Sequence, residues 1–382
     1  MNWRKILLGL AEDADTYWDS VIKRVEEELM ANAIYVQPYL SYGTAQAFYI
    51  RGRVLEGEKI RAATDEDTPW ENLAATYHRF ETDEVANAQV QITISDEVHH
   101  AVTDREGYFL AQVTPPPNFN TEAPDHPLWH EVKLSASSSA GTHLPGELLS
   151  DQTTTRVMVP PANSNFGVIS DLDDTVLQTH ATSLLHMARL TLFHNARTRL
   201  PFAGVAEFYQ ALQRGPQGKG SNPIFYVSSS PWNLYDLLFE FLEFHGIPHG
   251  PLFLRDLGLR RDLLSSAGHH SHKLAQVEHL LGVYPQLPFV LIGDSGQEDP
   301  EIYQEIVQRF PARVMAIYIR DVSLENRDSE VDSIIEAVGK TNVAMVRVPD
   351  TVAAAEHAAQ SGLIDPASLP VIETGKQLDK AE

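Results

Sequence analysis

The chain has 382 residues, no cysteine and a formal net charge of -23 at pH 7. The length suits two domains, and the lack of cysteine excludes thiol catalysis, zinc–thiolate sites, iron–sulfur clusters and disulfides. The strongly negative net charge argues against a nucleic-acid partner. Without cysteine, any metal must have oxygen or imidazole ligands.

Residues 1–32 predict an amphipathic helix. Apolar residues from Trp3 to Leu29 recur at helical spacing with charged residues between them. The helix either docks on the rest of the protein or binds a membrane surface or a partner. The run Ile6–Leu10 is too short for a signal peptide, and no later segment is long and apolar enough to span a bilayer. We therefore expect a cytoplasmic protein, with peripheral membrane contact as the alternative.

Residues 33–162 predict a β-sandwich-like accessory domain. The sequence has short β-type runs at Phe48–Leu55, Val90–Ser95, Tyr108–Val113, Glu131–Ser135 and Thr153–Val159. Between the first two runs, Pro69–Phe80 has the pattern of a helix.

Residues 163–365 predict an α/β domain built on a Rossmann-like, doubly wound parallel sheet. The predicted strands are Phe166–Ser170, Ile224–Val227, Leu252–Leu254, Phe289–Ile292, Val314–Ile319 and Val343–Val348. The predicted helices between and after them are Leu184–Arg197, Ala203–Leu212, Trp232–Phe244, Leu274–Leu281, Glu301–Phe310 and Val352–Ala359. Residues 366–382 form a predicted tail, and we expect poor order after Pro370.

Candidate catalytic residues follow these strands in chain order. Asp171 and Asp173 come after the first strand, where alternate side chains of an extended chain face the same side. Serines 228–230 follow the second strand, Lys273 begins a later helix, and residues 293–299 bring further acids after the fourth strand. Each feature alone is common in helix caps or solvated turns. Together, at one edge of a sheet, they predict a phosphoryl-transfer site whose oxygen ligands suit Mg²⁺.

This order resembles the four motifs of the haloacid dehalogenase superfamily of aspartate-nucleophile phosphotransferases. Longer strings are similar to the catalytic domain of the actin-patch-type phosphatidate phosphatases over roughly Phe166 to Val322. They are RLPFAGV at 199–205, FYVSSSPWNLY at 225–235, GPLFLRD at 250–256 and GDSGQ at 293–297. The β domain resembles the one that precedes the catalytic domain in bacterial members. The resemblance implies a haloacid dehalogenase-like fold and phosphatase activity.

The resemblance also implies a role for each motif residue. Asp171 would be the nucleophile that forms an aspartyl-phosphate, and Asp173 the acid and base. Thr175 would support the loop, while Ser228 and Lys273 would hold phosphoryl oxygens. The implied Mg²⁺ ligands are Asp171, the backbone carbonyl of Asp173 and Asp294, with Asp299 acting through water. Which of Ser228, Ser229 and Ser230 binds the phosphate stays open.

The substrate is less constrained than the chemistry. Residues 176–223 leave little room for a large cap domain, and an open site favours a large or interfacial substrate such as phosphatidate, which would yield diacylglycerol. The acidic balance opposes approach to a negative lipid surface, so a soluble or protein-bound phosphomonoester is the alternative.

Two further alternatives concern other parts of the chain. The first is a non-catalytic binding protein in which the β domain carries the function. The second is an additional metal site at His269, His270 and His272, against the more ordinary interpretation of these residues as a solvated loop near the cleft. The string GDSG also occurs in trypsin-like proteases, but those are disulfide-bearing all-β enzymes.

Overall fold

The computed structural model describes residues 34–57, 84–117, 119, 128–139, 147–173, 175–176, 201–255, 266–322 and 327–379. The helices predicted at Trp3–Leu29, Pro69–Phe80 and Leu184–Arg197 lie outside these residues. Within them, no helix is both long and apolar enough to cross a membrane.

The first part of the described chain is a nine-stranded sheet, here called the N-terminal sheet. Its strands are β1 (Ile34–Pro38), β2 (Ser41–Gly43), β3 (Phe48–Glu56), β4 (Gln89–Ile94), β5 (Glu97–Val102), β6 (Tyr108–Val113), β7 (Trp129–Ser139), β8 (Glu147–Leu149) and β9 (Thr153–Met158). The order is β1-β3-β2-β9-β7-β4-β5, with β6 paired to β3 and β8 paired to β7. Its neighbours are antiparallel except β2 and β9.

The hydrophobic pattern of the N-terminal sheet explains which strands the sequence predicts. In β4, buried and exposed residues alternate, and Val90, Ile92 and Ile94 enter one apolar cluster with Phe48 and Ile50. All five predicted β runs are strands. Four further strands (β1, β2, β5 and β8) were not predicted. Of these, β2 and β8 have only three residues each, and β5 is largely exposed. That the N-terminal sheet forms a sandwich stays a prediction.

The second part is an α/β unit around a six-stranded sheet, here called the parallel sheet. Its strands are β10 (Gly167–Asp171), β11 (Ile224–Pro231), β12 (Leu252–Arg255), β13 (Phe289–Asp294), β14 (Val314–Arg320) and β15 (Ala344–Val348). The helices are α1 (Val205–Arg214), α2 (Tyr235–Phe244), α3 (Ser266–Val283), α4 (Asp299–Arg309), α5 (Asp328–Gly339), α6 (Thr351–Gln360) and α7 (Leu369–Asp379).

All neighbours in the parallel sheet are parallel, in the order β12-β11-β10-β13-β14-β15. The chain moves outward in one direction from β10 to β12 and in the other from β13 to β15. The strand order therefore reverses between β10 and β13, where open α/β sheets have their ligand crevice. The α/β class and the parallel sheet are confirmed.

Helices cover both faces of the parallel sheet. Val168 and Tyr226 pack in one apolar cluster with residues of α1, α2 and α6, whereas Ile169 and Phe225 pack in another with residues of α3, α4 and α5. Because both faces are buried, the strands are continuous apolar runs, as parallel strands usually are.

The expectation of poor order after Pro370 is wrong through Asp379. Helix α7 follows a 3-10 turn at Pro366–Ser368, and Asp365 caps that turn by accepting a hydrogen bond from the backbone N–H of Ala367. Ile372 is only 1% exposed and joins the cluster that contains α1 and α6. One narrow apolar face is enough to dock a helix whose overall composition is polar. Helix α5 was likewise not predicted.

The N-terminal sheet packs directly on the α/β unit. The ring of Tyr39 stacks on Trp232 with centroids 4.8 Å apart, and the Arg51 guanidinium lies 4.0 Å from the centroid of the same indole. The Tyr235 hydroxyl accepts a hydrogen bond from the Leu40 N–H at 2.7 Å. The two sheets therefore share buried contacts near the end of β11.

Candidate active site

Asp171 ends β10 and is held by a buried lysine. Its side chain is 1% exposed, and Lys273 Nζ lies 2.7 Å from its Oδ1. Thr175 Oγ1 lies 3.4 Å from Oδ2, a long hydrogen bond. Lys273 is itself buried in the second turn of α3 and also contacts Asp299 Oδ1 at 2.7 Å. The lysine therefore bridges two carboxylates that follow different strands.

Asp294 and Asp299 complete a compact acidic cluster. Carboxylate oxygens of Asp171, Asp294 and Asp299 lie within 4.8 Å of one another, and all three residues are buried. Asp294 Oδ1 accepts hydrogen bonds from the N–H groups of Gly296 and Gln297 at 2.7 and 2.9 Å. The loop after β13 thus fixes the orientation of this carboxylate.

Gly293 allows Asp299 to reach the cluster. A Cβ at residue 293 would lie 2.5 Å from Asp299 Oδ2 and 2.6 Å from Asp299 Cβ, closer than non-bonded atoms approach. The same Oδ2 accepts a hydrogen bond from the Asp294 N–H at 3.1 Å. A side chain at residue 293 is therefore incompatible with this geometry.

The cluster carries more negative than positive charge. Burial raises the pKa of Asp171 well above its ordinary value; Lys273 opposes that rise, whereas Asp299 and Asp294 add to it. Burial alone would lower the pKa of Lys273, but the neighbouring carboxylates more than offset this and raise it. Buried charges need a compensating partner. Three carboxylates against one ammonium, with oxygen donors only, fit a hard divalent cation.

Asp173 contacts two of the three serines in the last part of β11. Ser228 Oγ donates to Asp173 Oδ2 at 2.8 Å, and Ser230 Oγ lies 3.3 Å from the same oxygen. Ser228 Oγ also accepts from the Ser230 N–H at 2.9 Å. Ser229 is 3% exposed, and no group in the described part of the chain bonds its Oγ. Ser228 is thus at the predicted site, in contact with Asp173.

Gln297 is a site residue whose role the sequence did not indicate. Its Nε2 donates to the backbone carbonyl of Asp173 at 3.2 Å and to Asp294 Oδ2 at 3.1 Å. These two oxygens were both predicted metal ligands. Gln297 thus joins the loops after β10 and β13. In the sequence, the signal for this site residue was its position at the end of the string GDSGQ, residues 293–297.

Arg320 is a second residue missed by sequence reasoning. Its Nε donates to the Thr175 carbonyl at 3.1 Å, its Nη2 donates to Thr351 Oγ1 at 3.0 Å, and the guanidinium lies 4.0 Å from the Phe202 ring centroid. Burial lowers its pKa to about 10, so it stays charged at neutral pH. Arg320 thus connects the loop after Asp171 to β14. In the sequence, the signal for this residue was a charged side chain at the end of an apolar strand.

The histidine-rich segment is helical, so the prediction of a solvated loop is wrong. It lies in the first two turns of α3, and the side chain of His269 is outside the described residues. The His270 ring contacts Glu298 at 3.3 Å and Glu305 at 3.2 Å. Burial, and next the Arg255 charge, lower the pKa of His272 to about 4. In the described segments, Asp171, Asp294 and Asp299 are the group suited to a metal, and the histidines add no second one.

Comparisons with known proteins relate the parallel-sheet unit to one family. Residues 166–321 match the family model described as "Phosphatidate phosphatase APP1, catalytic domain". The chain is 32% identical over 183 residues to "Phosphatidate phosphatase APP1" of Saccharomyces cerevisiae, which is 44% of this chain and 30% of that protein. It is 28% identical over 203 residues to an uncharacterized protein of Schizosaccharomyces pombe, which is 50% of this chain and 32% of that protein. The alignments therefore span about a third of these relatives.

Two solved structures align with most of the chain, but only at low similarity. A mutant of the PilB minor pilin from Streptococcus sanguinis aligns over 97% of this chain and 99% of that chain, with 7% identity and a TM-score of 0.25. A carbohydrate acetylesterase from Xanthomonas citri covers 92% of this chain and 76% of that chain, with 9% identity and a TM-score of 0.27. Both scores are too low to indicate a shared fold.

Proposed function

We propose that the chain belongs to the family of the phosphatidate phosphatase APP1 catalytic domain, whose model residues 166–321 match, and that it is a Mg²⁺-dependent phosphatase with a haloacid dehalogenase-like fold. The observation that carries the proposal is Lys273, held 2.7 Å from both Asp171 and Asp299 beside Asp294. A carboxylate nucleophile, a fixed cation and a cation-binding acid set are what phosphoryl transfer requires.

The residues at the site fit a bound Mg²⁺. Asp171 and Asp294 would supply carboxylate oxygens, Asp299 would act through water, and the backbone carbonyl of Asp173, two residues after Asp171, would complete the set. When bound, Mg²⁺ neutralises charge on the phosphoryl group and on the carboxylates. Gln297 joins the loops after β10 and β13, and Gly293 leaves room for the Asp299 side chain.

In the proposed reaction, Asp171 and Asp173 divide the work. A carboxylate oxygen of Asp171 attacks phosphorus, and the bond from phosphorus to the substrate oxygen breaks. The Asp173 carboxyl gives its proton to the leaving alkoxide. Asp173 then takes a proton from water, which attacks phosphorus and releases phosphate from Asp171. Two easier displacements replace one difficult displacement. Lys273 stays charged and lowers the repulsion between the carboxylate and the phosphate.

Ser228 and Ser230 are proposed to orient Asp173. Both hydroxyls lie within hydrogen-bond distance of its carboxylate. A carboxyl that changes protonation state during turnover needs partners that can both donate and accept, and a hydroxyl does both. Ser228 is also proposed to bind a phosphoryl oxygen, since its hydroxyl can rotate between Asp173 and a bound phosphate.

Phosphatidate is the proposed substrate, because the matching family model and the yeast relative are both named for it. A soluble phosphomonoester is the second candidate, favoured by the net charge of -23. The N-terminal sheet is proposed as an accessory domain over residues 33–162, and the phosphatase domain spans residues 163–365 with α7 docked against it.

A substrate panel tests the proposal. Phosphate release is measured from dioctanoyl phosphatidate in mixed micelles and from glycerol 3-phosphate and p-nitrophenyl phosphate, with Mg²⁺ and with EDTA. We expect Mg²⁺-dependent release from phosphatidate and none from Asp171→Asn. Release from soluble esters alone would reject the lipid substrate. Release from no ester by a folded protein would reject the phosphatase and favour a binding role.

A further inference from the structure

A cavity of about 280 Å³ lies between the N-terminal sheet and the parallel sheet. We propose that this cavity binds the acyl-ester portion of a glycerolipid whose phosphate lies at Asp171. The inference rests on the proposed function and assigns a part of the substrate to residues outside the acidic cluster.

The walls of the cavity are largely apolar. Six of the residues that line it are Leu40, Tyr42, Leu110, Trp232, Leu252 and Phe253, drawn from both sheets. Leu110 is 58% exposed, so the cavity has an apolar side chain that also faces solvent. Small-molecule sites begin near about 300 Å³, so the volume suits the ester and first carbons of an acyl chain rather than a whole lipid.

Two polar groups belong to residues that line the cavity. Arg51 lines the cavity with its guanidinium 4.0 Å from the centroid of the Trp232 ring. Trp232 is 2% exposed, and within the described segments its Nε1–H has no hydrogen-bond partner. Indole N–H groups usually find an acceptor when buried, because an unpaired buried donor is unfavourable. The Arg51 cation beside apolar walls fits an ester carbonyl followed by a hydrocarbon chain, and the buried Trp232 ring adjoins this cation.

The cavity lies next to the acidic cluster along two elements. Gln276 lines it and is three residues after Lys273 on α3, a rise of about 4.5 Å along the helix axis. Trp232 follows directly on the strand that carries Ser228 and Ser230. The proposed glycerolipid extends from the acidic cluster along these two elements into the cavity.

The test uses exposed Leu110 and a matched control. Leu110→Glu adds a charge at the cavity wall, and Val371→Glu adds the same charge at another exposed apolar residue, 60% exposed on α7. We expect Leu110→Glu to lower the ratio of kcat/KM for dioctanoyl phosphatidate to that for p-nitrophenyl phosphate by about tenfold, with no change of this ratio in Val371→Glu. Trp232→Phe keeps an aromatic ring beneath Arg51. We expect it to lower the same ratio about threefold to tenfold, by raising the KM for dioctanoyl phosphatidate.

A binding measurement separates this inference from the proposed function. Dioctanoylglycerol has the acyl esters without the phosphate, and its affinity is measured by calorimetry for the wild type, Leu110→Glu and Val371→Glu. Weaker binding to Leu110→Glu alone supports the cavity assignment even if the wild type hydrolyses no phosphatidate, a result that would reject the proposed function. Equal binding by all three proteins, or no binding to the wild type, would overturn the cavity assignment even if phosphatidate hydrolysis is established.

Discussion

Adding Mg²⁺ to the metal-free protein should raise its melting temperature, because the acidic cluster lacks positive charge. Asp171, Asp294 and Asp299 surround one buried ammonium, that of Lys273, so the cluster with all three carboxylates ionised carries two excess negative charges (three minus one). A ligand that binds the folded state at 100 times its Kd stabilises it by about 2.7 kcal/mol. For a domain of this size each kcal/mol corresponds to about 2–4 °C, so we expect a rise of about 5–10 °C.

Differential scanning fluorimetry with EDTA and with a Mg²⁺ titration measures this shift. Asp294→Asn removes one cluster carboxylate and should lose most of the rise. Glu356→Gln removes the same charge from an exposed position of α6 and should keep it. A rise of equal size in Asp294→Asn, or none in the wild type, would refute the assignment of the cation to this cluster.

Three further predictions follow from the site geometry. Gly293→Ala should destabilise the protein by about 1–3 kcal/mol in urea unfolding and weaken the Mg²⁺ shift, because its Cβ meets Asp299; wild-type stability would contradict this. Arg320→Met should lower kcat more than it raises KM, since it frees the loop at Thr175; an unchanged kcat in a folded variant would show a purely structural role. In EDTA, the unfolding free energy of the wild type relative to Asp171→Asn should fall as pH rises above 3.8, by at most about 1.4 kcal/mol per pH unit. The raised pKa makes the folded state bind more protons than the unfolded state, and a difference independent of pH would contradict this.

The parallel sheet could be predicted because its strands are buried on both faces. β10 and β13 are continuous apolar runs, and the polar residues that end them lie at one edge of the sheet. That geometry brings Asp171, Asp294 and Lys273 together from distant positions in the chain. The N-terminal sheet was only partly predictable, since β5 has no buried alternation.

The partners of the site residues could not be predicted in the same way. The register between β11 and β12 shifts between Val227 and Pro231, so simple strand alternation does not give the direction of Ser228. Arg320 acts through a backbone carbonyl of a loop 145 residues earlier in the chain. Such a contact depends on tertiary packing, and no local pattern encodes it.

The most direct test of the central claim is to identify the phosphorylated residue. The protein is incubated with Mg²⁺ and substrate, quenched in acid and reduced with borohydride, which converts an aspartyl-phosphate into homoserine that mass spectrometry can locate. We predict homoserine at position 171, and none when the Asp171→Asn variant is treated in the same way. Substrate hydrolysis with the modification at another carboxylate, or with no modification at all, would contradict the assignment of Asp171 as the nucleophile.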